Sequence, residues 1–265
     1  MDTNIKVLIC GAAGRMGRQT VASVLLQQDL TLVGCFDLNN VGKDAGKLAG
    51  VEPCGVRISD DLELILTLAS PDVMVDFSGG AAAPGNVLTC LSYKVACVVG
   101  STGISEEDVE KIRKKSEETG VPVLIVPNFS IGAVLMMQFA KLAAKHYEWA
   151  EIIELHHEKK ADAPSGTAIR TAALMKEERE KFKNPVNEEE KIKGVRGGSI
   201  DGIKIHSVRL PGLLAHQQVM LGGSGETLTI KHDSLTRECF MPGVMLAIRK
   251  VKMLSGMNVG LEAVM

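Results

Sequence analysis

The sequence of 265 residues is poor in aromatic side chains and has no marked excess of either charge. Six Phe, two Tyr and one Trp are too few for a base-stacking platform or an aromatic carbohydrate groove. The formal net charge of −2 lacks the excess of Lys and Arg that nucleic acids and anionic membrane surfaces require. We therefore expect neither nucleic acid nor a membrane as a partner.

Long hydrophobic runs are also missing. No apolar stretch approaches the roughly 18–20 residues of a membrane span, and the N-terminus has no signal-peptide layout. The six cysteines form no CxxC pair, and several lie in apolar runs such as VLIC and VAC, where a free thiol behaves as a small hydrophobe. We expect reduced thiols, no metal site and a cytoplasmic location.

What the first half of the chain does have is an alternation of short apolar runs and helical patterns. Five apolar runs are predicted strands, at residues 5–10, 31–36, 73–77, 95–99 and 121–126. Because helices separate them, they indicate βαβ units and a parallel sheet buried on both faces. The predicted fold class is α/β, with a Rossmann-type, doubly wound first domain over residues 1–127.

The pattern changes in the second half. Three strand candidates follow one another closely without intervening helices, at residues 203–210, 216–222 and 227–232. They indicate a second, α+β domain with a mixed sheet over residues 128–239, which we interpret as the substrate-binding and oligomerisation domain. We expect a C-terminal helix at about 240–265 to pack back on the first domain.

A glycine-rich turn follows the first predicted strand and opens the first helix. It consists of Gly11, Ala12, Ala13, Gly14, Arg15, Met16 and Gly17. Glycines here let the backbone approach a pyrophosphate, while the helix N-terminus offers free N–H groups. The spacing is GxxGxxG rather than the commoner GxGxxG, but Asp37 ends the second strand 20 residues after Gly17, where a carboxylate accepts hydrogen bonds from the adenine-side ribose. Together they predict a dinucleotide site; the alternative is a plain turn with a cap at Asp37.

We expect the protein to use NADH at least as well as NADPH. A carboxylate at Asp37 repels a 2′-phosphate, and the next residue is Leu38 rather than a basic one. Arg15, Arg18 and Lys43 remain candidates for binding such a phosphate, so the sequence leaves NADPH as an alternative.

Two further loops follow predicted strands, at the edge where open α/β sheets bind ligands. Gly100, Ser101 and Thr102 follow the fourth strand, and Val126, Pro127, Asn128 and Phe129 end the fifth strand and continue beyond it. We interpret both loops as contacts on the nicotinamide side. Alternatively, the first is a plain turn with a helix cap at Ser105, and the second is a domain junction.

The segment HHEKKADAPSGT, residues 156–167, contains the largest concentration of candidate catalytic and binding residues. In a strand, His156 and His157 would point to opposite faces, and the HExxH metal motif is absent. Lys160 adds a cation and a proton donor, and Ser165-Gly166-Thr167 open a helix whose hydroxyl and N–H groups suit a carboxylate or phosphate. Individually these are ordinary surface or capping residues, but within 12 residues they predict a substrate site.

Several stretches resemble the dihydrodipicolinate reductase (4-hydroxy-tetrahydrodipicolinate reductase) family. They are GAAGRMGR, VVGSTG, VPNFSIG, ELHHEKKADAPSGTA, and HSVRLPG with AHQ shortly after, from residue 11 to about 217. The HHxxKxDAPSGTA stretch is highly specific. The resemblance implies hydride transfer from NAD(P)H to a cyclic imine dicarboxylate in diaminopimelate and lysine biosynthesis. It also implies a homotetramer assembled through second-domain strands.

The resemblance implies roles for individual residues as well. His156 and Lys160 correspond to the family's proton donors, and His157, Gly166 and Thr167 to its substrate-binding residues. The cofactor positions carry over to the glycine-rich turn, Asp37, Gly100–Thr102 and Val126–Phe129. Leu38 departs from the arginine often found in members that use NADPH well, which leaves the cofactor preference open.

Two other functions fit part of the pattern. One is another two-domain dehydrogenase of an amino-acid precursor, such as aspartate or homoserine dehydrogenase, against which the HHxxK–DAPSGT combination argues. The other is a non-catalytic NAD-binding regulator, which has no need for proton donors such as His156 and Lys160. The sequence leaves anion-binding and structural roles open for four second-domain residues, Arg196, Arg209, His216 and Arg237.

Overall fold

The computed structural model describes residues 4–185, 187 and 189–265. The chain divides into two compact units, one formed by residues up to Phe129 together with Phe240–Met265, and the other by Ser130–Cys239. Among the described residues, none of the helices combines the length and the apolarity needed to cross a membrane.

The first unit contains a seven-stranded parallel sheet. Its strands are β1 (Ile5–Cys10), β2 (Leu30–Phe36), β3 (Ile58–Ser59), β4 (Val73–Asp76), β5 (Ala96–Val99), β6 (Val123–Ile125) and β12 (Met257–Val259). Its helices are α1 (Arg15–Leu25), α2 (Ala45–Ala49), α3 (Leu62–Ala69), α4 (Ala83–Ser92), α5 (Glu106–Thr119) and α8 (Met241–Lys250). The spatial strand order is β12-β6-β5-β4-β1-β2-β3, so the direction of winding reverses between β1 and β4.

The central strands are buried on both faces, as expected for a parallel sheet covered by helices. The side chains from Val7 to Cys10 in β1 and from Val73 to Asp76 in β4 have no exposed surface. Helix α1 packs closely on the turn before it, because a Cβ at Gly17 would lie 2.1 Å from the carbonyl oxygen of Gly11. The predicted Rossmann-type sheet is confirmed by this arrangement and by the comparisons below.

The C-terminal segment lies in this first unit but is not one continuous helix. Helix α8 ends at Lys250, a 3-10 turn covers Val251–Met253, and β12 then pairs with β6 at the edge of the sheet. The helix predicted over about 240–265 is therefore too long. The physical reason is that Leu254 is extended and Gly256 has a φ of +60°, which turns the chain into β12.

The second unit contains a mixed five-stranded sheet in the order β11-β10-β7-β9-β8, in which β7 and β9 are parallel. Its elements are α6 (Ile131–Ala144), β7 (Trp149–His156), α7 (Gly166–Glu178), β8 (Gly198–Ile200), β9 (Ile203–Arg209), β10 (Ala215–Gly223) and β11 (Glu226–Ser234). Side chains of α6, α7 and the sheet form one apolar core, which includes Ala140, Ile152, Met175 and Val219. The mixed sheet agrees with the sequence prediction.

Candidate active site

A cavity of about 610 Å³ lies in the first unit at the carboxyl ends of the strands, where the winding reverses. Open α/β sheets bind ligands at this point. The lining residues that matter here come from the ends of β1, β2 and β4 and from α4: Gly11, Gly14, Asp37, Ser78 and Asn86. The cavity therefore joins the glycine-rich turn to Asp37, as the sequence predicts for a dinucleotide site.

The glycine-rich turn leaves the N-terminus of α1 open. Gly11 has a φ of +76°, and an added Cβ would lie 2.5 Å from the backbone carbon of Phe77. Gly14 is the N-cap, no described side chain caps the helix, and its first turn contains no acidic residue. The N–H groups and positive dipole end of α1 are thus available to an anion.

Asp37 connects the turn to the end of β2. One carboxylate oxygen accepts a hydrogen bond from the Ala13 N–H at 2.9 Å, and the other accepts one from the Asn39 N–H at 2.8 Å. Arg18 supports the same turn by donating to the Ala13 carbonyl at 2.8 Å. Asp37 is therefore held by backbone N–H groups beside the cavity that it lines.

A buried network behind the cavity fixes the loops after β4 and β5, and the sequence analysis missed it. Asp76, which has no exposed surface, accepts hydrogen bonds from the Ser101 hydroxyl at 2.6 Å and from the Asn86 amide at 2.8 Å. The Ser78 hydroxyl also lies 2.9 Å from Asp76, and the Ser101 oxygen accepts from the Gly79 N–H. The Ser101 hydroxyl is therefore engaged in this network. In the sequence, the network is indicated only by Asp76, a carboxylate at the end of a buried apolar run.

The two loops interpreted as nicotinamide contacts lie together in the structure. The rings of Phe77 and Phe129 pack edge to face with centroids 5.7 Å apart. Gly100 lies against both rings, because an added Cβ would fall 2.2 Å from Phe77 Cε1 and 2.7 Å from Phe129 Cε2. The loops after β4, β5 and β6 are thus packed against one another at one edge of the sheet.

In the second unit, the segment between β7 and α7 carries the predicted substrate site. Ser165 is the N-cap of α7, and its buried hydroxyl accepts a hydrogen bond from the Ala168 N–H at 3.2 Å. Gly166 is exposed, and an added Cβ would meet no described atom within 4 Å. The hydroxyl of Ser165 is therefore engaged in capping, and Gly166 exposes its backbone at the start of α7.

His156 ends β7 with its ring Nδ1 hydrogen-bonded to the carboxylate of Glu154. Burial would raise the pKa of Glu154, but hydrogen bonds from Arg209, Ser207 and His156 outweigh it and lower that pKa below its ordinary value. Burial also lowers the pKa of His156, and the hydrogen bond and charge of Glu154 offset this only in part. The lowered pKa favours the neutral imidazole of His156 and makes its protonated form a stronger acid than an ordinary imidazolium.

Two further residues of the segment show different environments. Lys160 Nζ donates to both carboxylate oxygens of Asp162, at 2.7 and 2.8 Å. His157 Nδ1 is buried and has no hydrogen-bond partner among the described residues. A buried polar atom without a partner costs free energy.

Comparison with known proteins identifies the family. A model of the dihydrodipicolinate reductase N-terminus matches residues 5–129, and a model of the C-terminus matches residues 132–265. The chain belongs to the dihydrodipicolinate reductase family. This confirms the resemblance seen in the sequence and the prediction of a reductase. The two alternative functions, a non-catalytic NAD-binding regulator and another amino-acid-precursor dehydrogenase, are not favoured.

Individual relatives of the dihydrodipicolinate reductase family agree over the whole chain. The 4-hydroxy-tetrahydrodipicolinate reductase of Desulfitobacterium hafniense is 48% identical, with 97% of each chain covered. The enzyme of the same name from Moorella thermoacetica is 47% identical, covering 99% of this chain and 98% of the relative. A solved structure, the dipicolinate-bound dihydrodipicolinate reductase from Paenisporosarcina sp. TG-14, is 39% identical and has a TM-score of 0.89, with 98% and 99% coverage.

The structure also places the four residues whose roles the sequence left open. Arg209 forms a two-pronged ion pair with Glu154, and Arg196 pairs with Glu151. His216 Nδ1 lies 2.7 Å from an Asp233 oxygen, and Arg237 is exposed in a 3-10 turn. Arg209 thus shares the Glu154 carboxylate with His156. The sequence did not reveal Glu154, although an acidic residue at an inward position of an apolar strand was a usable signal.

Proposed function

We propose that the protein reduces 4-hydroxy-tetrahydrodipicolinate, a cyclic imine dicarboxylate, with NADH or NADPH in diaminopimelate and lysine biosynthesis. The observation that carries the proposal is the grouping, in one unit, of His156, Lys160 and the exposed first residue of α7, Gly166. The other unit contains a cavity with the features of a dinucleotide site. We further propose a cytoplasmic homotetramer assembled through strands of the second unit, which light scattering would test as a mass of four chains.

The residues of the first unit fit a nicotinamide dinucleotide. The first N–H groups of α1, at Arg15, Met16 and Gly17, would hold the pyrophosphate, and Asp37 the adenine-side ribose. Gly100–Thr102 and Val126–Phe129 would line the nicotinamide side. When bound, the cofactor supplies the hydride.

The second unit would bind the dicarboxylate. The N–H groups of Gly166 and Thr167 and the dipole of α7 favour a carboxylate at the helix N-terminus. We propose that His157, the residue after His156, contributes to binding the same ligand, as the family resemblance implies. Two negative charges near His156 would also favour its protonated form.

His156 and Lys160 would supply the proton that the reduction requires. The protonated His156 ring donates a proton to the ring position next to the one that receives the hydride, and it returns to the neutral form. Lys160 brings a positive charge that stabilises developing negative charge on the substrate and can donate a proton itself. Asp162 holds the ammonium group in place at the start of this step.

The overall proposal is tested by mixing purified protein with NADH and freshly made 4-hydroxy-tetrahydrodipicolinate. We expect loss of absorbance at the NADH band that depends on both the protein and the substrate. Binding of NADH is measured separately by fluorescence. Confirmed NADH binding without oxidation would reject the reductase and favour the regulator.

The cofactor preference gives a second measurement. Because Asp37 places a carboxylate near the ribose site and Leu38 is 75% exposed with no charge, we expect NADH to be used at least as well as NADPH. Steady-state rates with each cofactor give the ratio of kcat/KM. A preference for NADPH above tenfold would contradict this expectation and point to the cations Arg15, Arg18 or Lys43.

Gly14→Val is expected to raise the KM for NADH about tenfold or more, because the added side chain blocks the approach of the pyrophosphate to the backbone. The fold should tolerate it, since Gly14 has a φ of −72° and an added Cβ would meet only the Gly11 carbonyl oxygen, at 3.2 Å. Gly85→Val, on an exposed helical glycine with open space around it, is the matched control. A Gly14→Val protein with the KM of the control would show that this backbone does not contact the cofactor.

A further inference from the structure

Glu154 breaks the pattern of strand β7. The side chains of Ala150, Ile152 and Glu154 alternate onto the inward face, and Glu154 has no exposed surface. A buried carboxylate costs several kcal/mol unless it is paired and hydrogen-bonded. An apolar residue would pack well in the core at this position. The presence of a carboxylate must therefore be explained by the groups that hydrogen-bond to it.

The partners of Glu154 surround both of its oxygens. Arg209 donates to one oxygen at 2.9 Å and to the other at 2.8 Å, which is the geometry of a bidentate ion pair. His156 Nδ1 shares the first oxygen, and the Ser165 N–H donates to the second at 3.3 Å. Arg209 also donates to the backbone carbonyl of Asp162 at 2.7 Å, and the carboxylate of the same residue accepts from Lys160.

We propose that Glu154 is a positioning residue that selects the tautomer of His156 and ties its ring to the N-terminus of α7. This inference rests on the proposed function, because it assigns how the proton donor of that reaction is held. Glu154 does not touch the substrate; it acts through His156 and through the backbone of Ser165. Arg209 acts one step further out by keeping the Glu154 carboxyl ionised.

The charge state of Glu154 determines which ring nitrogen carries hydrogen. An ionised carboxylate only accepts hydrogen bonds, so His156 Nδ1 is the N–H donor. Nε2 then has no hydrogen in the neutral ring and gains one when the ring is protonated. The proton that leaves for the substrate comes from Nε2, and the ring relaxes to the Nδ1–H tautomer that Glu154 holds.

The same strand carries a similar cluster on its opposite face, which provides a control. Glu151 pairs with Arg196 and lies 2.8 Å from His206 Nε2, so it also joins a carboxylate, a guanidinium and an imidazole. None of these three residues belongs to the segment between β7 and α7. Glu151→Gln therefore removes an ion pair of the same composition from the same strand without touching His156.

The test compares the pH dependence of kcat for wild type, Glu154→Gln and Glu151→Gln with NADH as cofactor. For Glu154→Gln we expect kcat at neutral pH to fall about 100-fold, the lower end of a general-acid contribution, with the KM for NADH unchanged. Loss of the negative charge makes His156 harder to protonate, which lowers its pKa. A general acid is active in its protonated form, so the alkaline fall in kcat should begin at lower pH in Glu154→Gln.

Glu151→Gln should keep the wild-type position of that alkaline fall. Glu154→Asp, which restores the negative charge, should move the fall back toward the wild-type pH even if kcat stays lower. A purely structural ion pair would reduce stability without moving the pH profile. A folded Glu154→Gln enzyme with the wild-type profile would overturn the proposal.

If Glu154→Gln does not fold, the tautomer of His156 can be measured directly in the wild-type protein. Nitrogen-15 NMR of the imidazole of His156 in the neutral ring should show hydrogen on Nδ1. Hydrogen on Nε2 would overturn the inference whatever the activity. Failure of the proposed function is recognised separately, as wild-type protein that binds NADH but does not oxidise it with the substrate.

Discussion

Replacing His156 with Gln is expected to lower kcat by about 100- to 1,000-fold while the KM for NADH stays close to the wild-type value. Gln fills a similar space and can still hydrogen-bond Glu154, so the pocket and the ion pair with Arg209 should persist. An amide cannot give up a proton at neutral pH. The variant therefore removes the proposed proton donor and leaves the proposed cofactor site in the other unit unchanged.

The control for this prediction is His146→Gln, the same substitution at an exposed histidine outside the segment between β7 and α7. It should retain the wild-type kcat. Steady-state rates at saturating NADH and substrate, with circular dichroism to check folding, give the comparison. Equal kcat for His156→Gln and wild type would remove His156 from the mechanism and leave Lys160 as the remaining candidate donor.

Lys160→Ala is expected to lower kcat/KM for the dicarboxylate substrate by about 100-fold or more. The substitution removes an ammonium group whose charge acts on His156 and leaves Asp162 without its cation. The site then becomes more negative just where a substrate with two negative charges must bind, so KM should rise as well as kcat fall. Because Asp162 is largely exposed, we expect little change in folding stability.

The neighbouring Lys159→Ala variant is the matched control, since Lys159 is exposed and carries the same charge one residue earlier. If net charge alone attracted the substrate, the two variants would lose similar amounts of kcat/KM at low ionic strength. A selective loss in Lys160→Ala shows that the position of the ammonium group matters. Wild-type kcat/KM in Lys160→Ala would exclude a role for this residue.

Much of the fold could be predicted because parallel strands buried on both faces appear in sequence as short apolar runs. The runs at 5–10 and 31–36 correspond to β1 and β2 almost residue for residue. Strands β3, β8 and β12 contain only two or three residues each, so no alternation or apolar run announces them. Their pairing depends on the neighbouring strand rather than on their own composition.

The candidate site could be predicted where its residues are close in the chain, as from His156 to Thr167. Its supporting residues could not, because their partners are distant in sequence. Glu154 meets Arg209 across 55 positions, and Asp76 meets Ser101 across 25. A buried carboxylate is recognisable as a site component only when the cation or hydroxyl that stabilises it is known, and this requires the fold.

The position of β12 has a consequence for how the protein is made. The first unit lacks strand β12 and helix α8 until Phe240–Met265 have been synthesised, which happens only after the whole of Ser130–Cys239. At about 5–20 residues per second, translation of this insertion takes roughly 5–20 s. During that interval β6 is the unpaired border of a partial sheet, with its backbone N–H and C=O groups exposed to other nascent chains. Once β12 has been synthesised and pairs with β6, that border is covered, which removes this exposed edge as a site of aggregation.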